Sequence, residues 1–301
     1  MKNILIPTDF SENSCNALRY AISMFWGQEC NFHLLNTYTP AIAGSRFMAA
    51  SFEENMMANS AAKYSKKGLD DLLIRVKKEF NNEKHHFKTI SSFSLLVDEV
   101  LESISTHNID LVIMGTTGAT GMEEVFMGSN AVRVIKSVKD CPVLAIPQNF
   151  DFKKPTEIAF ATDFTRFYTK SELRPLIELA KLFDATVRIV HVQYQIKTLT
   201  ELQQFNLDML RKYLGDVEHY VHTVSELNSI SKTLELFSKE MDIHLLAMLN
   251  YQHSYMEQLI REPVVKRVAF HTQIPLLVIP ELGMASNFTE TNNRDNVLMS
   301  N

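Results

Sequence analysis

The chain has 301 residues, enough for two domains of ordinary size. Hydrophobic residues make up 46% and charged residues 22%, and the formal net charge of −5 argues against a dedicated nucleic-acid-binding surface. The first residues lack the pattern of a signal peptide, and no run reaches the roughly 18 uncharged apolar residues of a membrane helix, so we expect a cytoplasmic protein without a membrane partner.

The cysteines predict neither a disulfide framework nor a zinc site. Cys15, Cys30 and Cys141 are odd in number and show no CxxC spacing. Their expected role is that of small buried apolar side chains. No cluster of histidine and acidic residues has metal-ligand spacing either, so no metal site of the protein's own is expected.

Short apolar runs alternate with helical patterns along the first half. Strands are predicted near 3–7, 31–36, 84–90, 109–114 and 142–147. Apolar residues recur at helical spacing between them, as Val97, Val100, Leu101 and Ile104 do. Nearly continuous apolar strands that alternate with helices are typical of a parallel sheet covered on both faces. The predicted fold class is therefore α/β, doubly wound and Rossmann-like, with ligands expected outside the carboxyl ends of the strands.

The second half repeats the first. Matching segments occur in the same order, namely 4–11 with 158–165, 32–36 with 187–191, 110–114 with 242–246, and 141–147 with 274–280. Strands of the second half are predicted near 156–161, 185–192, 217–223, 242–248 and 275–279. The sequence thus predicts tandem domains over 1–148 and 156–281, each with a five-stranded parallel sheet, joined by a polar linker that ends at Pro155.

Two segments have a less defined character. Residues 38–60 connect the second strand to a long helix, and a mobile flap over the site and an ordinary surface loop are both open interpretations. Residues 282–301 are rich in Asn, Ser and Thr, and a disordered tail is predicted there.

The most informative segment follows the fourth predicted strand. Met114-Gly115-Thr116-Thr117-Gly118 ends an apolar run, and Gly128-Ser129-Asn130 begins a helical pattern after nine further residues. Glycines let the backbone turn sharply and approach an anion. Free N–H groups and the dipole at a helix start favour negative charge. The pattern is typical of a site that holds phosphate groups.

Three features together resemble the universal stress protein (UspA) family. They are the opening Pro7-Thr8-Asp9-Phe10-Ser11, the Gly-x2-Gly-x9-Gly-Ser spacing from Gly115 to Ser129, and the closing strand over 142–147. The resemblance covers residues 1–147 and, more weakly, 156–280. It implies a tandem, two-domain member of the family that binds ATP and takes part in the stress response.

The resemblance also implies which residues hold the nucleotide. Pro7, Thr8, Asp9 and Thr37 would border adenine, Met114 and Gly115 would lie against the ribose, and Gly118, Gly128, Ser129 and Asn130 would hold the phosphates. Mg²⁺ would arrive with ATP, bound mostly by phosphates and water. Single domains of the family pair through their last strand, so an intramolecular pseudo-dimer through 143–146 and 276–279 is implied, with a further homodimer left open.

Several of these assignments have a purely structural alternative. Asp9 is also placed to cap the helix that begins near Ser11 or Glu12. Ser129 is likewise placed to cap the next predicted helix. Gly115 and Gly118 would also suit a tight strand-to-helix turn that holds no ligand.

The second half keeps Thr162-Asp163-Phe164 but loses the phosphate motif. No glycine occurs from Ala247 to Pro280, and the bulky Tyr251, Tyr255 and Met256 would crowd a phosphate path. We therefore expect that this half does not bind ATP in the same way.

Motifs of fast phosphate chemistry are absent from the sequence. It contains no Gly-x4-Gly-Lys-Ser/Thr, no Gly-x-Gly-x2-Gly and no Gly-x-Ser-x-Gly. Without a positioned base or an arginine finger, no catalytic residue is assigned and at most weak ATP hydrolysis is expected. The leading hypothesis is an ATP-binding regulatory module with unknown protein partners. A ligand-free interaction scaffold and a slow ATPase are the alternatives.

Overall fold

The structure, a computed structural model, describes residues 1–39, 51–116, 128–148, 150–251 and 273–281. The chain divides into two units, Met1–Phe152 and Lys153–Asn301, called the first unit and the second unit below. The boundary between them falls inside the polar segment that the sequence indicates as a linker.

The first unit is built on a parallel sheet. Its strands are β1 (Lys2–Pro7), β2 (Cys30–Thr37), β3 (His85–Ser92), β4 (Leu111–Gly115) and β5 (Val143–Ile146), and its helices are α1 (Glu12–Met24), α2 (Ser51–Glu79), α3 (Leu96–Thr106) and α4 (Ser129–Ser137). The strands are parallel, in the order β3-β2-β1-β4-β5. The chain leaves β1 toward β2 on one side and later returns to β4 on the other. The switch in strand order, where doubly wound sheets bind their ligands, therefore lies between β1 and β4.

The second unit repeats this arrangement. Its strands are β6 (Glu157–Ala161), β7 (Thr186–Gln193), β8 (His219–Ser225), β9 (Leu245–Asn250) and β10 (Leu276–Pro280), and its described helices are α5 (Lys170–Phe183), α6 (Glu201–Leu214) and α7 (Ile230–Glu240). The parallel strand order is β8-β7-β6-β9-β10. The predicted α/β class, with a five-stranded parallel sheet in each half, is confirmed.

Backbone hydrogen bonds correct one match between the two halves. The N–H of Asp110 donates to the carbonyl of Asn3 at 2.8 Å, and the N–H of His244 donates to the carbonyl of Glu157 at 2.9 Å. Asn3 and Glu157 occupy the same place in β1 and β6. His244 is therefore the counterpart of Asp110, and the predicted match of Asp110 with Asp242 is wrong. Asp242 has a left-handed φ of 45°, so the chain turns there and β9 begins later than predicted.

Most helices whose starts are described begin at a hydroxyl side chain. Ser11, Thr169, Thr200 and Ser229 each accept the N–H three residues further on, at the starts of α1, α5, α6 and α7. A cap of this kind satisfies an N–H group that the helix leaves unpaired, and each contributes about 1 kcal/mol. Among the described helices, none combines the length and apolar character that a membrane crossing requires.

The core lies on both faces of the central strands. Consecutive residues of β1 (Ile4–Ile6) and β6 (Ile158–Phe160) are fully buried. Because neighbouring residues of a strand point to opposite faces, both faces of each sheet are covered.

The cysteines belong to this core. All three are free and buried. Burial raises the pKa of Cys30 to about 11 and that of Cys141 to about 12. The prediction of small buried side chains is confirmed.

The predicted connection over 38–60 is shorter than the sequence indicated. Helix α2 already begins at Ser51, so 51–60 is helical. Residues 40–50 lie outside the described residues, so the flap and the surface loop both stay predictions. Residues 282–301, for which a disordered tail is predicted, lie outside the described residues as well.

Candidate functional site

A cavity of about 430 Å³ opens at the carboxyl ends of β1, β2 and β4. It collects the predicted nucleotide residues of the described chain, which are Pro7, Thr8, Asp9, Thr37, Met114, Gly115, Gly128, Ser129 and Asn130. Gly118 lies outside the described residues, so its predicted role stays a prediction. The cavity lies at the switch in strand order, as the fold class requires.

Other residues of the cavity wall were not predicted from the sequence. They are Ser14, Asn36, Leu96, Thr116 and Ala131. Ser14 lies within an apparently ordinary helix, and Leu96 begins another. Only the packing of α1 and α3 against the strand ends brings them to the site. For Asn36 a signal exists, since it precedes Thr37 and occupies the place that His191 takes in the repeat.

The turn from β1 to α1 is held by the hydroxyl of Thr8. Its Oγ1 accepts the N–H of Phe10 at 3.0 Å and shares a hydrogen bond with Ser14 Oγ at 2.9 Å. The turn requires a left-handed Phe10, with φ 64°, and Phe164 repeats this conformation in the second unit with φ 57°. Such a conformation is rare for an aromatic residue, and its recurrence indicates that this turn geometry is specified in both units.

Asp9 lies at the rim of the cavity and does not cap α1. Its Oδ1 accepts the N–H of Ser11 at 3.1 Å and the Ser11 hydroxyl at 2.5 Å. Ser11 is the N-cap of α1 and accepts the N–H of Ser14. The capping alternative for Asp9 is therefore wrong. Its carboxylate instead orients the capping serine while its side chain stays exposed at the cavity.

Gly115 is required by a close approach of α1. A Cβ atom at this position would overlap Nδ2 of Asn13, a buried side chain in the first turn of α1. Gly115 is the last residue of β4 and does not have a left-handed backbone. Gly115 itself therefore needs no left-handed backbone. The connection that follows, 117–127, lies outside the described residues, so a turn that holds no ligand stays an alternative. The glycine lets a strand end and a helix meet at the cavity wall.

The start of α4 differs from the capped helices. Its N-cap is Gly128, which has no side chain, and its first turn contains no acidic residue. Ser129 is the first helical residue, so the interpretation of Ser129 as an N-cap is wrong. Ser129, Asn130 and Ala131 line the cavity. Gly128 thus offers the first N–H groups of α4 no capping side chain, and the positive end of the helix dipole lies at the site.

The polar side chains that line the described part of the cavity are mostly uncharged. Asp9 is the one charged side chain among the described lining residues. Thr116 Oγ1 is buried on the wall and has no hydrogen-bond partner within the described part of the chain. No cluster of three or more His, Cys, Asp or Glu side chains suited to a metal ion occurs among the described residues.

Comparison with known proteins decides the family. A family model described as the universal stress protein family matches residues 1–147. A universal stress protein of Methanocaldococcus jannaschii is 32% identical over 145 residues, which cover 48% of this chain and 81% of that protein. The chain belongs to the universal stress protein family. The resemblance drawn from the sequence is confirmed.

Other relatives agree with this membership. A second universal stress protein of Methanocaldococcus jannaschii is 27% identical over 158 residues, covering 48% of this chain and 94% of that protein. The crystal structure of a universal stress protein from Archaeoglobus fulgidus covers 93% of this chain and 96% of its own, with a TM-score of 0.63 at 19% identity. This structural likeness shows the fold.

The second unit of this universal stress protein fills the counterpart of the site differently. The strand register places Asp163 at the position of Asp9, and Leu249 at that of Gly115. Tyr251 follows two residues later, and its hydroxyl donates to Asp163 Oδ1 at 2.6 Å. Burial and the neighbouring Asp163 carboxylate raise the pKa of Tyr251. The carboxylate of Asp163 is thus bonded by the unit's own chain.

Arg166 completes this closed arrangement. Its guanidinium lies 4.9 Å from the ring centre of Tyr251 and pairs with Glu172 at 2.7 Å. Glu172 is fully buried, and it also accepts the N–H of Thr169 in the capping box of α5. A buried carboxylate in this position is expensive to leave unpaired. The network therefore holds Tyr251 and Arg166 against the turn that carries Asp163.

Proposed function

We propose that the first unit binds ATP and that this universal stress protein is a nucleotide-dependent regulatory module of the stress response. The proposal rests on the convergence of distant residues at one cavity. The stretches 7–9, 36–37, 114–116 and 128–131 all contribute to its wall. The cavity also lies at the switch in strand order, where doubly wound sheets bind nucleotides.

The adenine and ribose would lie between the ends of β1, β2 and β4. Asp9 and Thr37 border the cavity from β1 and β2, and Met114 and Gly115 border it from β4. A carboxylate accepts hydrogen bonds from an amino group of the kind that adenine carries. Gly115 has no side chain, so its backbone can lie close to the sugar.

The phosphates would lie at the start of α4. The N-cap residue, Gly128, has no side chain that could pair with the first N–H groups of this helix. The buried hydroxyl of Thr116, which has no hydrogen-bond partner among the described residues, lies on the same cavity wall and would gain a hydrogen bond from a polar ligand. Mg²⁺ would accompany the nucleotide and neutralise part of its charge, because no lysine or arginine is found among the described lining residues.

Binding, and not turnover, is the proposed activity. Phosphate hydrolysis needs a group that orients or deprotonates the attacking water. Asp9 is the one charged side chain among the described wall residues, and its Oδ1 is engaged by Ser11. It belongs to the proposed adenine end, so we assign no catalytic residue.

One nucleotide per chain is proposed. In the second unit the carboxylate at the Asp9 position is bonded to Tyr251, and the Gly115 position carries a leucine. The protein should be purified without added nucleotide and denatured, and the released nucleotide should be identified by mass spectrometry. Calorimetric titration with ATP and Mg²⁺ then measures the remaining free sites.

The outcomes separate the candidate functions. Close to one adenine nucleotide per chain supports the proposal. Two per chain would contradict the closed second unit. Absence of both released nucleotide and binding heat in folded protein would overturn the proposal and favour an interaction scaffold. Steady phosphate release well above that of a Gly115→Ala variant would favour the ATPase.

A further inference from the structure

Asn36 joins the ends of the two strands that carry the proposed adenine residues. It is the penultimate residue of β2, and its side chain is buried at 8% exposure. Its Nδ2 donates to the carbonyl oxygen of Thr8 at 2.7 Å. Thr8 precedes Asp9, and Asn36 precedes Thr37. This hydrogen bond thus joins the residues that immediately precede Asp9 and Thr37, the two residues that border the proposed adenine end.

The Asn36 hydrogen bond continues the pairing of β1 with β2 one residue past the end of β1. Strand β1 ends at Pro7, yet the N–H of Thr8 still donates to the carbonyl of Leu35 at 2.8 Å. The side-chain amide of Asn36 then donates to the carbonyl of Thr8. Both backbone groups of Thr8 are therefore held by β2, which fixes the direction in which the chain leaves toward Asp9.

The second unit makes the same bond with a different side chain. Thr162 is held through its N–H by the carbonyl of Val190 at 3.0 Å, and His191 Nδ1 lies 3.0 Å from the carbonyl of Thr162. Since a carbonyl only accepts, Nδ1 carries the proton, and the unprotonated Nε2 accepts from the Gln193 amide at 2.9 Å. Two chemically unlike residues donate at one position, so the fold requires a donor there.

We infer that Asn36 is a positioning residue for the adenine end of the nucleotide site, acting through Thr8 to set Asp9 opposite Thr37. The inference rests on the proposed ATP binding and deepens it. The phosphate end is held separately by the start of α4. Losing the Asn36 bond should therefore weaken ATP binding while leaving the binding of a bare polyphosphate unchanged.

The test compares two asparagines of β2. Asn31 is equally buried, at 6% exposure, and its Nδ2 donates to Asn3 Oδ1 at 2.8 Å, at the opposite end of the same strand pair. Asn36→Ala and Asn31→Ala each remove one side-chain bond between β1 and β2. Each variant should be titrated calorimetrically with ATP and with inorganic tripolyphosphate, both with Mg²⁺, and its urea unfolding should be recorded.

Asn36→Ala should lower ATP affinity about tenfold and leave tripolyphosphate affinity within about twofold. Asn31→Ala should change neither affinity, at a similar cost in stability. Asn36→His should restore ATP affinity, because Phe10 stands where Phe164 contacts His191 in the second unit. This variant also covers the case in which Asn36→Ala fails to fold.

The contrary outcomes point to different errors. Equal loss of ATP and tripolyphosphate affinity in Asn36→Ala, or unchanged ATP affinity, would overturn the positioning role while the proposed function stands. Failure of Asn36→His to recover affinity in a folded protein would also count against it. If the unaltered protein binds no ATP, the proposed function fails and the inference fails with it.

Discussion

The side chain of Asn13 occupies the space that a side chain at position 115 would need. A Cβ atom on Gly115 would lie 2.7 Å from Cγ of Asn13 and closer still to Nδ2 of Asn13. Asn13 is 3% exposed, so it has little freedom to move aside. The pair sets how closely α1 approaches the end of β4, and the cavity lies between these elements.

Gly115→Ala should reduce ATP affinity at least tenfold and destabilise the first unit by about 1–3 kcal/mol, because the new methyl group overpacks against Asn13. Calorimetry and urea unfolding measure the two effects. Gly27→Ala is the matched control, since a Cβ there meets no heavy atom within 4 Å. Unchanged affinity in Gly115→Ala would contradict the close-approach argument.

A second substitution tests whether Asn13 is the cause. Asn13→Ala removes the side-chain atoms that the new methyl group would meet. The double variant with Gly115→Ala should therefore be more stable than the sum of the single effects predicts, and the coupling should exceed about 0.5 kcal/mol. Simple additivity would assign the cost of Gly115→Ala to something other than this contact.

Tyr251→Phe should destabilise the second unit by about 2 kcal/mol. The lost hydroxyl donates to the Asp163 carboxylate in a partly buried setting, and hydrogen bonds to charged groups contribute more than those between neutral groups. Tyr220→Phe is the control. The Tyr220 hydroxyl donates to Glu218 at 2.8 Å, but both side chains are exposed, so its loss should cost far less stability than the loss of the Tyr251 hydroxyl. Urea unfolding followed by circular dichroism measures both, and an equal cost would argue against a closed Tyr251–Asp163 contact.

The fold was predictable because its strands are nearly continuous apolar runs. Ile4–Ile6 and Ile158–Phe160 read as buried strands and are buried. The predicted repeat failed locally at the start of β9, where sequence similarity matched Asp110 with Asp242. Asp242 adopts a left-handed turn that no periodicity reveals, and only the bond from His244 to Glu157 shows the true register.

The site was predictable where its residues follow strand ends. Thr8 and Gly115 come directly after apolar runs, Thr37 is the last residue of β2, and the carboxyl ends of parallel strands meet at one edge. Asn13 and Asn36 were missed for a physical reason. Each acts through one tertiary contact, with Gly115 and with the carbonyl of Thr8. Nothing in the sequence points to the first contact, and the match of Asn36 with His191 in the repeat marks the position without revealing its hydrogen bond.

Because His33 is buried, we expect the free energy of unfolding to decline in mild acid. Its side chain is 2% exposed, and neither ring nitrogen has a hydrogen-bond partner within the described residues. Burial, with smaller contributions from His107 and Lys88, lowers its pKa to about 4. The unfolded chain, with a histidine pKa of about 6.5, binds more protons between these values. The stability from His33 is therefore complete above about pH 6.5, and about 3 kcal/mol of it is lost as the pH falls to about 4.

The measurement is urea unfolding at several pH values between 4 and 7. Other buried histidines also have lowered pKa values, His85 and His244 among them, so only the difference between variants isolates His33. His33→Leu should flatten the dependence. Leu34→Ala, a fully buried position on the same strand, should lower stability by a similar amount at every pH. Parallel curves for His33→Leu and the unaltered protein would remove His33 as the cause.

Ser129→Asp should change stability and nucleotide binding in opposite directions. Ser129 is the first residue of α4, whose first turn has no acidic residue. A carboxylate there complements the helix dipole and should stabilise the first unit by about 0.3–1 kcal/mol. The same charge lines the cavity at the proposed phosphate end, so ATP and tripolyphosphate affinities should both fall at least tenfold. Ser129→Asn, which is uncharged and of similar size to aspartate, is the control and should reduce both affinities far less. If Ser129→Asp bound tripolyphosphate as well as Ser129→Asn does, the phosphates could not lie at the start of α4.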